Sequence, residues 1–212
     1  MMIFRDREDA ARRLSEALMQ YRGLHPLILA IPRGAVPMAK TIADALDGEV
    51  DVVLVRKLRA PGNPEFAIGS VDETGWTYLG DYAGHVAGSQ RYIEDEKETQ
   101  LRVMRERRAS YTPIRPPLDP EGRIVIVVDD GLATGSTMIA ALHALRAKHP
   151  RKLVCAVPVA PPDTLEKVKP YADEMVCLSA PEEFYAVGQF YQSFPQVSDD
   201  EVIRLLGAAP GS

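Results

Sequence analysis

The chain has little of what several protein classes require. Two cysteines among 212 residues are too few for a disulfide framework. They also do not form a CxxC pair: Cys155 lies in "KLVCAVPV" and Cys177 in "EMVCLS". Both read as buried thiols serving as small hydrophobes, which suits a reducing compartment. No apolar run approaches the length of a membrane span. The N-terminus, "MMIFRDREDAARRLSEAL", lacks an apolar stretch with a cleavage-like site. It reads as a helix capped near Asp6 rather than a signal peptide, so the expected location is cytoplasmic. A formal net charge of −5 argues against nucleic acid or an anionic membrane as the main partner. His25, His85, His143 and His149 show no metal-ligand spacing. No Walker A loop, no G-x-G-x-x-G after a strand and no G-x-S-x-G elbow is present.

What is there is ordinary in proportion, with 46% hydrophobic and 26% charged residues, enough for one substantial core. Apolar runs rich in Val and Ile occur at Leu27–Ile31, Val50–Val55, Ile124–Val128, Leu153–Val159 and Met175–Leu178. Nearly continuous apolar character is the mark of strands buried on both faces. Helical patterns fall between them at Val36–Leu46, Thr137–Lys148 and Asp163–Val168. The alternation predicts a doubly wound α/β fold with a mainly parallel sheet flanked by helices. Ligands of such sheets bind at the carboxyl edge, where "PRGAVP", "RKLRAPGNPE" and "DDGLATGST" should meet. The stretch from Leu58 to Glu121 interrupts the rhythm. Phe66–Gly80 reads as a hairpin turning at Glu73–Gly75. Ser89–Tyr111 reads as one long helix whose mixed charges suggest a solvated face. An excursion of this size within an α/β domain is more often functional than idle.

The most informative segment is "IVIVVDDGLATGSTM", Ile124–Met138. A Gly/Ser/Thr-rich turn that opens a helix presents backbone N–H groups to an anion, typically a phosphate. Thr134, Ser136 and Thr137 add hydroxyl donors, and Gly131 and Gly135 allow close backbone approach. Asp129 and Asp130 would repel a phosphate. They suit donors beside it, such as sugar hydroxyls, or a divalent cation. A sugar phosphate satisfies both halves of the motif. A lone DDG is usually a solvated strand end before a capped turn, but the full spacing is far more specific.

That segment resembles the phosphoribosyl-pyrophosphate (PRPP) motif of type I phosphoribosyltransferases, and its wording is similar to that of the adenine-specific members. "LAIPRGAVPMA" (Leu29–Ala39) resembles the family's pyrophosphate loop, with Arg33 and Gly34 in the key position. "VLVRKLRAPGNPEFAIG" (Val53–Gly69) is similar to the strand and start of its catalytic loop. With the C-terminal "FYAVGQFYQSFPQVSDDEV", the likeness to a bacterial group of predicted phosphoribosyltransferases spans nearly the whole chain.

The resemblance implies one type I phosphoribosyltransferase-like domain over residues 1–212. It would have a flexible lid at 58–88, a long helix at 89–111 and a small hood at 180–212. It also implies a Mg²⁺-dependent pentosyltransferase that moves phosphoribose from PRPP to a nitrogenous acceptor, expected to be a nucleobase, as in purine salvage and nucleotide metabolism. On this reading the turn, with Ala133, Thr134, Gly135, Ser136 and Thr137, binds the 5′-phosphate. Asp129 and Asp130 hold the ribose hydroxyls and, weakly, the metal, which is bound mainly through substrate. Arg33 and Gly34 face the pyrophosphate, and Lys57 and Arg56 neutralise it as it leaves. Glu65 is a candidate proton acceptor, set against the plainer reading of a solvated lid charge. Phe184, Tyr185, Phe190, Tyr191 and Phe194 are material for a small core or for a hood over the acceptor base. The common expectation for this fold is a homodimer with no nucleic-acid or membrane partner. Two rival functions stay open: a sensor of PRPP or a nucleotide on the same fold, and a scaffold relative acting on another phosphorylated ligand.

Overall fold

The computed structural model describes residues 2–114 and 116–207, and the side chains of all of these except Pro64 and Glu65. The chain opens with helix α1 (Arg7–Ala17), whose N-cap Asp6 accepts the Asp9 N–H at 2.8 Å, the usual satisfaction of an orphan helix donor. Strand β1 (Leu27–Ala30), helix α2 (Val36–Leu46) and strand β2 (Glu49–Val52) follow. A second sheet comes next, formed by β3 (Val55–Ala60), β4 (Asn63–Asp72) and β5 (Thr77–Leu79). After α3 (Ala83–Ala87) and α4 (Gln90–Tyr111), the chain returns to the main sheet with β6 (Ile124–Val128), α5 (Ser136–Arg146), β7 (Lys152–Val159), α6 (Pro162–Val168) and β8 (Glu174–Ser179). Helix α7 (Asp199–Gly207) ends the described part, its first turn capped by Ser198 Oγ, which accepts the Glu201 N–H at 3.1 Å.

The main sheet is parallel throughout, in the order β2-β1-β6-β7-β8. Side chains alternate between its two faces. Ile28, Ala30, Ile126 and Val128 pack with the layer of α1 and α2. Leu27, Leu29, Val125 and Val127 pack with α5 and α6. Both faces are covered, which is why these runs are apolar without alternation. The chain steps outward from β1 to β2, then re-enters on the other side of β1 as β6. Strand order therefore reverses between β1 and β6, the place where open α/β sheets bind ligands.

One expectation needs correction. The apolar run Val50–Val55 is not one strand: β2 ends at Val52, and Val55 begins β3 in the other sheet. Within the segment 58–88, expected to be a flexible lid, β3 and β4 pair antiparallel and Leu58, Ile68, Ser70 and Val71 are fully buried. Pro61–Asn63 and Phe66 at its tip are exposed. Opposite the solvated face expected of α4, Glu96 and Gln100 are buried along it. Cys155 is buried and Cys177 half-buried. Residues 208–212 of the expected hood lie outside the described residues. Among the described residues, no helix is long and apolar enough to cross a membrane.

Candidate functional site

The loops after β1 and β6 meet β3 around a cavity of about 450 Å³, within the range of small-molecule sites. Ile31 extends β1 by donating its N–H to Val128 O at 3.0 Å, which sets the two loops side by side. The peptide bond between Pro32 and Arg33 is cis. Gly34 lies directly against Asp130. A Cβ added there would collide with Asp130 Oδ2 and come within 3.0 Å of Arg7 Nη2. Only a glycine lets these loops approach so closely.

Beyond the carboxylates, Gly131 packs under the segment before α7, where an added Cβ would sit 2.7 Å from Val187 Cγ1. Leu132 donates its N–H to Val159 O at 2.9 Å, and Thr164 Oγ1 donates to Ala133 O at 2.7 Å. Gly135, in the left-handed conformation at φ +76°, turns the chain into α5. That conformation carries little cost for glycine alone. The first N–H groups of α5 and the Thr134 and Thr137 side chains thus stand at the cavity, a ready anion site.

Asp129 and Asp130 are both pushed above the usual carboxylate range. For Asp129 the first cause is burial and the second is the charge of Asp130, opposed by Lys57 and Arg7. For Asp130 burial again leads, opposed by Arg7. Two like charges at a half-buried strand end are costly, and the fold answers with Arg7. Its Nε donates to Asp130 Oδ2 at 3.0 Å, and its Nη2 lies 2.9 Å from the same oxygen. Arg7 is held in turn by Pro195 O at 2.6 Å from Nη1 and by the Phe194 ring, 3.8 Å from Cζ. Asp130 donates its N–H to Asp129 Oδ1 at 2.9 Å, and Tyr191 Oη donates to Asp130 O at 2.6 Å.

The opposite wall is basic. Arg56, Lys57 and Arg59 come from β3, and Arg107 from α4. Arg56 is lowered from its ordinary value, first by burial and then by Arg107, Arg59 and Arg33. Its Nε donates to Gln100 Oε1 at 2.9 Å. Arg59 is forked onto Glu96, with Nε to Oε1 at 2.7 Å and Nη2 to Oε2 at 3.2 Å. Arg33 Nη1 reaches Asp199 Oδ2 at 3.3 Å. Half-buried cations that repel one another around a cavity favour an anion there.

The structure therefore brings Arg33, Gly34, Arg56, Lys57, Asp129, Asp130, Gly131, Ala133, Thr134, Gly135 and Thr137 to one cavity. Ser136 differs. It is buried, its Oγ is 3.2 Å from Thr134 Oγ1, and it lines a smaller neighbouring cavity of about 180 Å³. The Glu65 side chain lies outside the described residues. His85 does not line the cavity, and His143 stacks on Trp76 with ring centroids 3.7 Å apart. Among the aromatics, Phe190 and Tyr191 join the core and Tyr185 is exposed; Val187 is what the segment before α7 puts into the cavity. Sequence reasoning missed Arg7, Arg59 and Arg107. Arg59 was visible two residues beyond Lys57 on a strand, whereas Arg7 and Arg107 belong to no local motif. Among the described residues, no group of three or more His, Cys, Asp or Glu could hold a metal ion. The hard oxygens of Asp129 and Asp130 suit Mg²⁺ as two ligands of a shell completed by others.

Comparison with known proteins gives the family. A family described as "Phosphoribosyl transferase domain" matches residues 3–193. Two proteins of Mycobacterium tuberculosis are 41% identical over 210 residues, 99% of this chain: "Putative phosphoribosyl transferase Rv0571c" of strain H37Rv and "Putative phosphoribosyl transferase MT0597" of strain CDC 1551. The chain spans about half the length of these curated relatives, 47%. The crystal structure of TT1426 from Thermus thermophilus is 47% identical, with a TM-score of 0.80 over 97% of this chain and 98% of that one.

Proposed function

Since the chain belongs to the phosphoribosyl transferase family, we propose that it transfers the 5-phosphoribosyl group of PRPP to a nitrogenous acceptor, a nucleobase, and releases pyrophosphate. One observation carries this reading: Gly34 is pressed against Asp130. That contact joins a loop suited to a diphosphate, a carboxylate pair suited to a sugar and a turn suited to a phosphate around a single cavity.

The roles follow from the chemistry of each group. The N–H groups opening α5, with Thr134 and Thr137, hold the 5′-phosphate. Asp129 and Asp130 accept hydrogen bonds from the ribose hydroxyls, and their negative charge favours the sugar as it becomes oxocarbenium-like. The acceptor nitrogen attacks C1 with its lone pair while the C1–O bond to pyrophosphate breaks and the leaving oxygen takes the electrons. Arg33, Arg56 and Lys57 stabilise the charge gathered on that leaving group. Asp129 and Asp130, together with substrate oxygens, would hold Mg²⁺, which would supply further neutralisation of the diphosphate. Arg7 keeps Asp130 aimed and opposes the upward push that burial gives its carboxyl.

The test is pyrophosphate release from PRPP and Mg²⁺ with a panel of purine and pyrimidine bases. Release that depends on one base supports transfer. Tight PRPP binding without turnover on any base would convert the reading to a sensor. Asp130→Asn should weaken PRPP binding at least tenfold, about 1.4 kcal/mol, without loss of fold. Unchanged affinity in that variant removes the basis of the assignment.

A further inference from the structure

The long helix α4 has the composition of a solvated rod, yet one stripe of it is not solvated. Glu96, Gln100, Met104 and Tyr111 are all buried. With Arg107 they recur at helical spacing, so they share one face. That face lies behind the basic wall of the cavity. Glu96 fixes Arg59, Gln100 fixes Arg56, and Arg107 reaches the cavity itself. None of these α4 residues belongs to the motifs by which the site was found.

Resting on the PRPP reading, we propose that Arg107 is a diphosphate-binding residue of this site and that Asp199 and Tyr111 are the positioning residues that hold it there. Arg107 Nε lies 3.4 Å from Asp199 Oδ1, and its side chain is only 19% exposed. The other oxygen of the same carboxylate takes Arg33 Nη1 at 3.3 Å. Tyr111, buried, donates its hydroxyl to Asp199 Oδ1 at 2.9 Å. One carboxylate at the head of α7 thus sets two guanidiniums from distant parts of the chain, both facing the same cavity. The ion pair with Asp199 is made at Nε and leaves the two terminal nitrogens of the guanidinium, with four of its five N–H donors, outside that contact.

Charge supports the choice of ligand. Arg33, Arg56, Arg59 and Arg107 face the cavity against Asp199 and Glu96, and Lys57 and Arg7 offset Asp129 and Asp130, which leaves two formal positive charges in all. The cations that act most on Asp129 are Lys57 and Arg7, not these four. The guanidiniums are therefore available to a polyanion with oxygens on two adjacent centres, which a diphosphate provides and a monoester does not.

Calorimetric titration in Mg²⁺ buffer with three probes tests this: PRPP, inorganic pyrophosphate and ribose 5-phosphate. Arg107→Gln should weaken the first two by about ten- to a hundredfold, the range of a charge-assisted hydrogen bond. It should leave ribose 5-phosphate within about twofold. Arg107→Lys keeps the charge without the fork and should recover part of the loss. Tyr111→Phe should weaken pyrophosphate by about threefold, again sparing ribose 5-phosphate, which a merely structural defect would not do. Equal weakening of all three probes, or no change in any, overturns the proposal. Wild-type protein that binds pyrophosphate through Arg107 but does not bind PRPP supports the proposal and defeats the PRPP reading. Equal PRPP binding by wild type and Arg107→Gln does the reverse.

Discussion

At Gly34 a missing methyl group decides whether two loops can form one site. The residue keeps no side chain because the space a Cβ needs is already taken by the Asp130 carboxylate, itself pinned by Arg7. Gly34→Ala must therefore move a charged group that has Arg7 and Asp129 on its other sides. Overpacking of this kind costs about 1–3 kcal/mol. The variant should melt several degrees lower, and PRPP affinity should fall at least as far as in Asp130→Asn, about tenfold or more. Differential scanning calorimetry and titration measure the two effects separately. A variant with wild-type affinity would mean that Asp130 does not touch the sugar. This part of the site was legible in the sequence because "PRGAV" and "DDGLATGST" are contiguous motifs at strand ends. Arg7 was not, because nothing near it in sequence shows that it will meet a carboxylate 123 residues away.

Among the elements, the small sheet matters most for how the site is held. Ser70 on β4 is fully buried, and its hydroxyl donates to Ser136 O at 2.7 Å, at the start of α5. The segment expected to be a lid is thus tied to the turn that would carry the phosphate. Ser70→Ala removes one buried hydrogen bond at nearly constant volume and should cost about 1 kcal/mol. Urea denaturation gives that number, and hydrogen exchange should show faster opening at residues 136–140 than in α2. Stability equal to wild type would mean that the bond is not made. The elements themselves were readable where apolar runs are buried on both faces, as in β1, β6 and β7. They were misread where the chain changes sheets. In "VDVVLV" nothing polar marks the place where the path turns between Val52 and Val55. In "VRKLRA" a strand carries three cations because it borders a cavity and does not lie wholly within a core. The buried stripe of α4 was hidden by the charges on the rest of that helix.

Over the whole molecule, four carboxylates tie separate regions together and should govern its behaviour in acid. Asp9 ties α1 to the residues before it, accepting from Arg5 N and from Arg13. Glu96 joins α4 to β3. Asp173 accepts the Leu153 N–H and Arg146, and Glu174 accepts Tyr21 Oη and Lys152 Nζ, each at 2.6 Å. Burial pushes Asp9 and Glu96 up, but hydrogen bonds from Arg5 and Arg13, and from Arg59, outweigh it and leave both below their ordinary values. Asp173 is lowered first by Arg146, and Glu174 first by Lys152. A carboxyl held lower in the folded state than in the unfolded chain binds fewer protons there. Its contribution is complete above the ordinary values of 3.8 for Asp and 4.5 for Glu, and it is lost as pH falls through the folded value. Asp129 and Asp130 are shifted the other way and take up their protons at higher pH. Stability measured by urea denaturation should therefore hold down to about pH 5 and fall steeply below pH 4. Glu174→Gln should make that fall shallower while lowering stability at pH 7, because the ion pair with Lys152 and the charge on the bond from Tyr21 are lost at every pH. An acid limb as steep as wild type in Glu174→Gln would show that these carboxylates do not set it.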